Sequence, residues 1–335
     1  MTALDVHLPV AEQSDMGAYV EQAMAAEEAG YEFVWMPETW GRNAVPILTR
    51  IATETERIGI GSSILNVYSR SPALLGQTAA TLQEISGGRA RLGLGPSGPI
   101  VIEGWHGAEF GNPLKRLREA VEIAKLVQTG ETVNYDGDVF SLAGFRLRSD
   151  PPDPPAPVDT TGMGPKAVEL AGRFADGWHG IVLTPDGVRD RLRDFERGSD
   201  LGDRTQDEQR RTHSVTVCAL QDGKRARRLT RQHLAFYLGA MGDYYRKALS
   251  RQGYEETAKT VAAKWGSGER EAALEAISDD LLDRFAAAGT PDEARELLRP
   301  FRSIDRLDAL AIGFPRAASP DEVQTTIDAI SPLAE

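Results

Sequence analysis

Cysteine is almost missing from this chain. Cys218 is the only one, which excludes an internal disulfide and a cysteine-built metal cluster and fits a reducing compartment. Lysine is scarce too, with seven residues among 38 basic ones, against 50 acidic residues and a net charge of −12. Such a balance excludes nonspecific nucleic-acid binding, which depends on surplus cations. An acidic, lysine-poor surface suits a salt-rich cytoplasm, although a GC-rich genome also favours arginine over lysine. No apolar run approaches the roughly 20 residues that span a bilayer. The opening Met1-Thr2-Ala3-Leu4-Asp5-Val6-His7 lacks a basic stretch followed by an apolar one, so a cytoplasmic location without membrane contact is expected. Only five histidines occur, and there is no H-E-x-x-H. His7 has no neighbouring histidine of the kind that barrel metallohydrolases use, so no metal site is expected.

What the sequence does have is alternation. Short β-like runs at 4–8, 31–36, 58–65 and 90–95 are each followed by a helical pattern, at 16–29, 44–56, 72–85 and 113–128. Gly30 stops the first helix, Ser71-Pro72 starts the third, and Gly87-Gly88 turns the chain into the fourth strand. Parallel neighbours need crossover helices, so four such units predict a parallel sheet. Residues 132–148, with Asp136-Gly137 between apolar runs, read as a hairpin excursion. The proline-rich 150–155 reads as a stiff surface loop. Further strands are expected at 157–161, 177–183, 213–220 and 307–312, with helices at 166–174, 186–197, from Thr290-Pro291-Asp292-Glu293 onward, and at 320–333. Residues 199–211 read as an exposed linker, and 223–288 as a helix plus an inserted helical pair. The count of eight predicts one (β/α)8 TIM barrel over residues 1–335, with excursions at about 130–155 and 223–288. Barrels of this type run from about 200 to over 400 residues.

Chemistry in a barrel sits on the loops after the strands. Thr161-Gly162-Met163-Gly164-Pro165 joins a strand to a helix and reads either as a phosphate cradle or as a tight turn that needs glycine anyway. Gly93-Leu94-Gly95-Pro96-Ser97-Gly98-Pro99 has no helix directly after it, so a Rossmann fingerprint is weak, and close approach to a flat ring explains its small residues as well. His7 is a candidate acid or substrate ligand, or a hydrogen-bonded core histidine. His106 lines the mouth or caps a loop; His179 and His213 read as structural. Glu38 contacts ligand or pairs with Arg42, and Glu103 contacts ligand or bonds within its loop. Two such carboxylates keep a glycosidase in play, but that leaves the glycine-rich turn unexplained.

A wider pattern runs from the first strand to the last. It comprises Phe33-Val34-Trp35-Met36-Pro37-Glu38, Gly61-Ser62-Ser63-Ile64-Leu65-Asn66-Val67-Tyr68-Ser69-Arg70-Ser71-Pro72, Gly87-Gly88-Arg89-Ala90-Arg91-Leu92-Gly93-Leu94-Gly95, Ser97-Gly98-Pro99, Glu103-Gly104-Trp105-His106-Gly107, Gly162-Met163-Gly164-Pro165 and Gly289-Thr290-Pro291-Asp292-Glu293. With these marks the chain resembles the luciferase-like family of flavin and deazaflavin enzymes, in its coenzyme F420-dependent branch, and especially the methylenetetrahydromethanopterin reductases of one-carbon metabolism. The resemblance implies a hydride-transferring oxidoreductase with coenzyme F420 as carrier. FMN and a luciferase-like monooxygenase activity are the alternative, and a non-catalytic cofactor-binding barrel is a third reading. It implies a non-prolyl cis peptide at Ser63–Ile64 behind the carrier's ring, carrier contacts at Ser62, Ser63, Ile64, Ser97 and Gly98, and its phosphate at Thr161, Gly162, Met163 and Gly164. His7 and Glu38 are the expected catalytic groups, with an imidazole near neutrality at position 7 moving the accompanying proton; Glu103 and His106 are the expected substrate ligands. By the same resemblance, the reductase has a glutamate where His7 stands, and relatives usually have aspartate where Glu38 stands. A homodimer or higher homo-oligomer acting on a small molecule is expected.

Overall fold

Glycine placement governs how the sheet closes. Strands β1 (Ala3–His7), β2 (Phe33–Met36), β3 (Gly59–Ser62), β4 (Ala90–Gly95), β5 (Val158–Thr161), β6 (Gly177–Ile181), β7 (Arg210–Ala219) and β8 (Ala309–Gly313) pair in parallel with their sequence neighbours. β8 pairs with β1 from Ala3↔Ala309 to His7↔Gly313, which closes an eight-stranded barrel ringed by helices. The computed structural model describes residues 2–9 and 15–334. Outward-facing Val6, Val34, Ile60, Leu94, Val158 and Ile312 are fully buried beneath the helices. The inward positions are unusual. Barrel interiors are normally filled by branched apolar side chains, but here Asp5, Trp35, Asp159 and His179 are buried inside with Arg91 and Arg210. β3 supplies Gly59 and Gly61, and a Cβ at either would collide with the ring of Phe33 or Trp35 from β2. Two glycines on one strand thus make room for two large rings on the next.

Several boundaries depart from the sequence expectation. The third strand breaks after Ser62 and resumes at Leu65–Asn66, paired with Leu94 and Gly95 of β4, so Ser63 and Ile64 lie in the gap. A helix, Pro99–Gly104, forms in what read as open loop after β4. Residues 199–211 are not an exposed linker. The preceding helix runs Pro185–Leu201, and β7 begins at Arg210. Gln209 is buried, donating to the carbonyls of Gly172 and Ala175 and accepting from Ser199. Polar composition does not distinguish a solvated residue from one satisfied by backbone.

The insertion is larger than a helical pair. It holds helices Gly223–Ala240, Asp243–Ser250, Glu255–Gly266, Arg270–Glu275 and Asp279–Phe285, then a strand, Ala286–Gly289. That strand pairs with the far end of β7, from Thr216↔Ala286 to Ala219↔Gly289. Ala-Ala-Ala-Gly has helical propensity, and the open edge of an overlong strand overrides it. Residues 133–136 and 141–145 form the expected hairpin, whose loop amides at Asp138, Val139 and Phe140 donate to buried Glu119.

Candidate active site

Side chains that are sealed in mid-barrel become half-exposed at the carboxyl ends of the strands, and this rim is the mouth. Ser63 is held there at each polar atom. Its amide donates to the Met36 carbonyl at 2.9 Å, its carbonyl accepts from His7 Nε2 at 3.0 Å, and its hydroxyl lies 3.5 Å from His179 Nδ1. The Ser63–Ile64 peptide is cis. His7 therefore spends its Nε2 proton on a carbonyl, which can only accept. Burial, with His179 nearby, lowers its pKa to about 4 against the opposing pull of the Ser63 carbonyl. The imidazole is neutral at physiological pH, and the expected near-neutral titration at position 7 is corrected by its enclosure.

Glu38 is tied to Arg70, not Arg42: Nη1 and Nη2 reach its two oxygens at 2.5 and 2.9 Å, and the Ala44 amide adds a third bond at 3.0 Å. With both oxygens engaged, Glu38 fastens the start of helix Ala44–Glu54 to the loop after residue 66. Ser62 is fully buried and exchanges two hydrogen bonds with Gly93, its Oγ donating to the carbonyl and accepting from the amide. Its hydroxyl stitches β3 to β4 and does not reach the mouth. Glu103 is exposed on helix Pro99–Gly104. His106 is half-buried, and its Nε2 accepts from Asn66 Nδ2 at 3.3 Å. Ser97 takes a left-handed φ of +56°, and the space around Gly98 where a side chain would stand is open.

After β5, Thr161 Oγ1 donates to the His179 carbonyl at 2.9 Å and Trp178 Nε1 to the Gly162 carbonyl at 2.9 Å. A Cβ on Gly162 would lie 2.7 Å from that of Ala167, so the tight turn does need this glycine. Gly164 differs: it opens helix Pro165–Phe174, and its Cβ direction points at the Arg251 guanidinium, 3.5 Å away. Amides at a helix start beside a guanidinium suit an anion.

Arg251 comes from the insertion, and sequence reading missed it because nothing local links residue 251 to residue 164. Gln252 beside it accepts from Thr184 N and Oγ1 and donates to the Val182 carbonyl, pinning the insertion to the loop after β6. Helix Gly223–Ala240 carries His233, Phe236 and Tyr237 over the mouth. The Arg316 amide, just past β8, donates to His233 Nδ1 at 3.0 Å, and the Arg316 guanidinium stacks 3.9 Å from the Phe236 ring centre. Tyr237 packs on His233 at 4.8 Å and on Tyr245 at 4.6 Å. The His233/Phe236/Tyr237 spacing is helical and was the available signal. At the opposite end of the barrel an open depression of about 510 Å³ is lined by Tyr31, Phe33 and Arg89. Arg89 there is spent on the carbonyls of Ser86, Ile58, Ala52 and Thr55, which marks structural service.

The closed barrel, the broken third strand and the glycine-opened mouth define a class of cofactor-binding (β/α)8 enzymes. The luciferase-like monooxygenase family profile matches residues 3–304, and the chain belongs to that family. A Mycobacterium tuberculosis protein, provisionally named as a coenzyme F420-dependent oxidoreductase, is 30% identical over 83% of this chain and 85% of its own length. The 5,10-methylenetetrahydromethanopterin reductase of Archaeoglobus fulgidus is 29% identical over 81% of this chain and 82% of its own. Among solved structures, the coenzyme F420-dependent tetrahydromethanopterin reductase of Methanopyrus kandleri superposes with a TM-score of 0.84, covering 99% of this chain and 97% of its own at 23% identity.

Proposed function

We propose that this protein is a coenzyme F420-dependent oxidoreductase acting on a one-carbon unit carried by a flat heteroaromatic group, as a 5,10-methylene-tetrahydromethanopterin or -tetrahydrofolate reductase. The observation that carries the cofactor reading is the mouth itself. Gly95 packs its backbone against Ile64, Gly98 leaves open room in the loop that follows, and a helix start with Arg251 beside Gly164 supplies an anion site on the same rim. The deazaflavin, when bound, supplies or takes a hydride. Ser63, Ile64, Ser97 and Gly98 hold its ring system, and the Thr161–Gly164 backbone with Arg251 holds its phosphate. His7 orients Ser63, and Glu38 with Arg70 braces the rim. The substrate reading rests on the roof: the packed cluster of His233, Phe236 and Tyr237 makes the cover of the mouth aromatic, which favours a planar pterin over a sugar. His106 lies at the rim's outer edge, and exposed Glu103 is available only to a substrate tail.

The test uses the purified protein with reduced deazaflavin and reduced FMN in separate reactions under air. The expected outcome is oxidation of the deazaflavin, seen as recovery of its absorbance, only when a methylene-tetrahydropterin is added. Oxygen-consuming turnover with reduced FMN, and none with the deazaflavin, would sink the reading in favour of a monooxygenase.

A further inference from the structure

Below the mouth, two polar side chains from adjacent strands and one from the break after β3 meet where apolar ones are the rule. Asp159 on β5 and His179 on β6 are fully buried, and Ser63 stands half-buried above them. Asp159 accepts from Arg91 at 2.8 and 2.6 Å, so Arg91 already compensates the cost of burying a carboxylate. Together with His179 it holds the Asp159 carboxyl well below the usual carboxylate range, against the opposing effect of burial. His179 is therefore an additional partner, at 3.2 Å through Nε2. A carboxylate only accepts, so Nε2 carries the proton and Nδ1 presents its lone pair to Ser63 Oγ, 3.5 Å away. That separation is at the long end of hydrogen-bonding distance. Trp35 holds the imidazole plane edge-on at 4.2 Å. Ser63 is fixed by its amide and carbonyl, and with Nδ1 bare of hydrogen the contact to His179 is one that the Ser63 hydroxyl donates.

We propose that Asp159, His179 and Ser63 form a proton relay, with Ser63 as the group that touches the bound carrier and His179 and Asp159 as positioning residues behind it. Ser63 Oγ takes the proton that a reduced carrier's ring nitrogen gives up as the hydride, with both electrons, leaves for the substrate carbon. Ser63's own proton passes to His179 Nδ1, giving an imidazolium beside the Asp159 carboxylate. The hydride makes the new C–H bond as the methylene carbon's bond to one nitrogen breaks and that nitrogen takes a proton from water; the carrier is oxidised, the substrate reduced, and the reverse reaction returns each proton. The other groups around His179 are His7 from β1, Arg91 from β4 through Asp159, the Asp5–Arg210 pair beyond Trp35, and neutral Thr212 from β7 in register with it. The inference rests on the deazaflavin reading of the mouth, and its tests separate the two.

Nitrogen-15 NMR of histidine-labelled protein without cofactor reads the tautomer directly. The Nε2–H form of His179 is expected, becoming mixed in Asp159→Asn; an Nδ1–H form overturns the relay whatever the cofactor. With reduced deazaflavin, Ser63→Ala should keep most of its affinity by fluorescence quenching. Its single-turnover hydride step should slow by about 100-fold or more and lose its solvent deuterium isotope effect, with Ser63→Thr restoring both in part. Tight deazaflavin binding with an unchanged rate and isotope effect in Ser63→Ala overturns the relay and spares the cofactor assignment. Failure of the wild-type protein to bind the deazaflavin defeats both that assignment and the Ser63 role.

Discussion

Three of the five histidines are kept neutral by enclosure: burial lowers His7 and His213 to about 4, and lowers His233, which also feels Arg316 and His7, to about 3. An unfolded histidine titrates near 6.5. Between about pH 6.5 and 4 the unfolded chain thus binds more protons, so stability is full above that window and drains away as pH falls through it. His213 allows a clean test, because it is buried and stacked on Phe301 at 5.7 Å. His213→Phe should remove about 2–3 kcal/mol of the stability loss between pH 7 and 4.5, read from urea melts at the two pH values. A different outcome is expected at Glu38. Glu38→Gln breaks a bidentate pair and should cost about 1–3 kcal/mol of stability while the pH dependence of turnover stays as in wild type; an altered profile would restore it to the catalytic group.

At the scale of elements, the pairing of Gly59 and Gly61 with Phe33 and Trp35 is the feature that shapes the interior. Gly61→Ala should destabilise by about 1–3 kcal/mol through overpacking. In a Trp35→Leu background the same substitution should cost far less, a coupling that a double-mutant cycle measures; additive costs would refute the complementarity. This level was only half legible. Alternating runs and caps such as Ser71-Pro72 and Thr290-Pro291-Asp292-Glu293 place the strands and helices, and the latter does form a capping box. The break after Ser62, the Ala286–Gly289 strand and the buried Gln209 were not readable, since each depends on a partner distant in sequence.

For the whole molecule, the proposed seat of the carrier in the mouth would tie the β3, β4 and β5 loops to the insertion, and binding would then stabilise the fold. At a hundredfold excess over Kd the gain is about 2.7 kcal/mol, a rise of several degrees in Tm with the deazaflavin. FMN should give a smaller shift, and Arg251→Ala should shrink the deazaflavin shift without lowering the unliganded Tm. An Arg251→Ala protein with the full shift would remove the insertion from the anion site. The sequence by itself determined the eight-strand barrel, the rim loops and the family, because strand period, crossover length and glycine-rich turns are local signals. Tertiary structure decided what those loops do. It spent His7 on a carbonyl, Glu38 on Arg70 and Ser62 on Gly93, and it brought Arg251 and His233 to the mouth and the Asp159–His179 pair beneath it. Hydrogen-bond capacity is limited, and only folding shows which partner claims it.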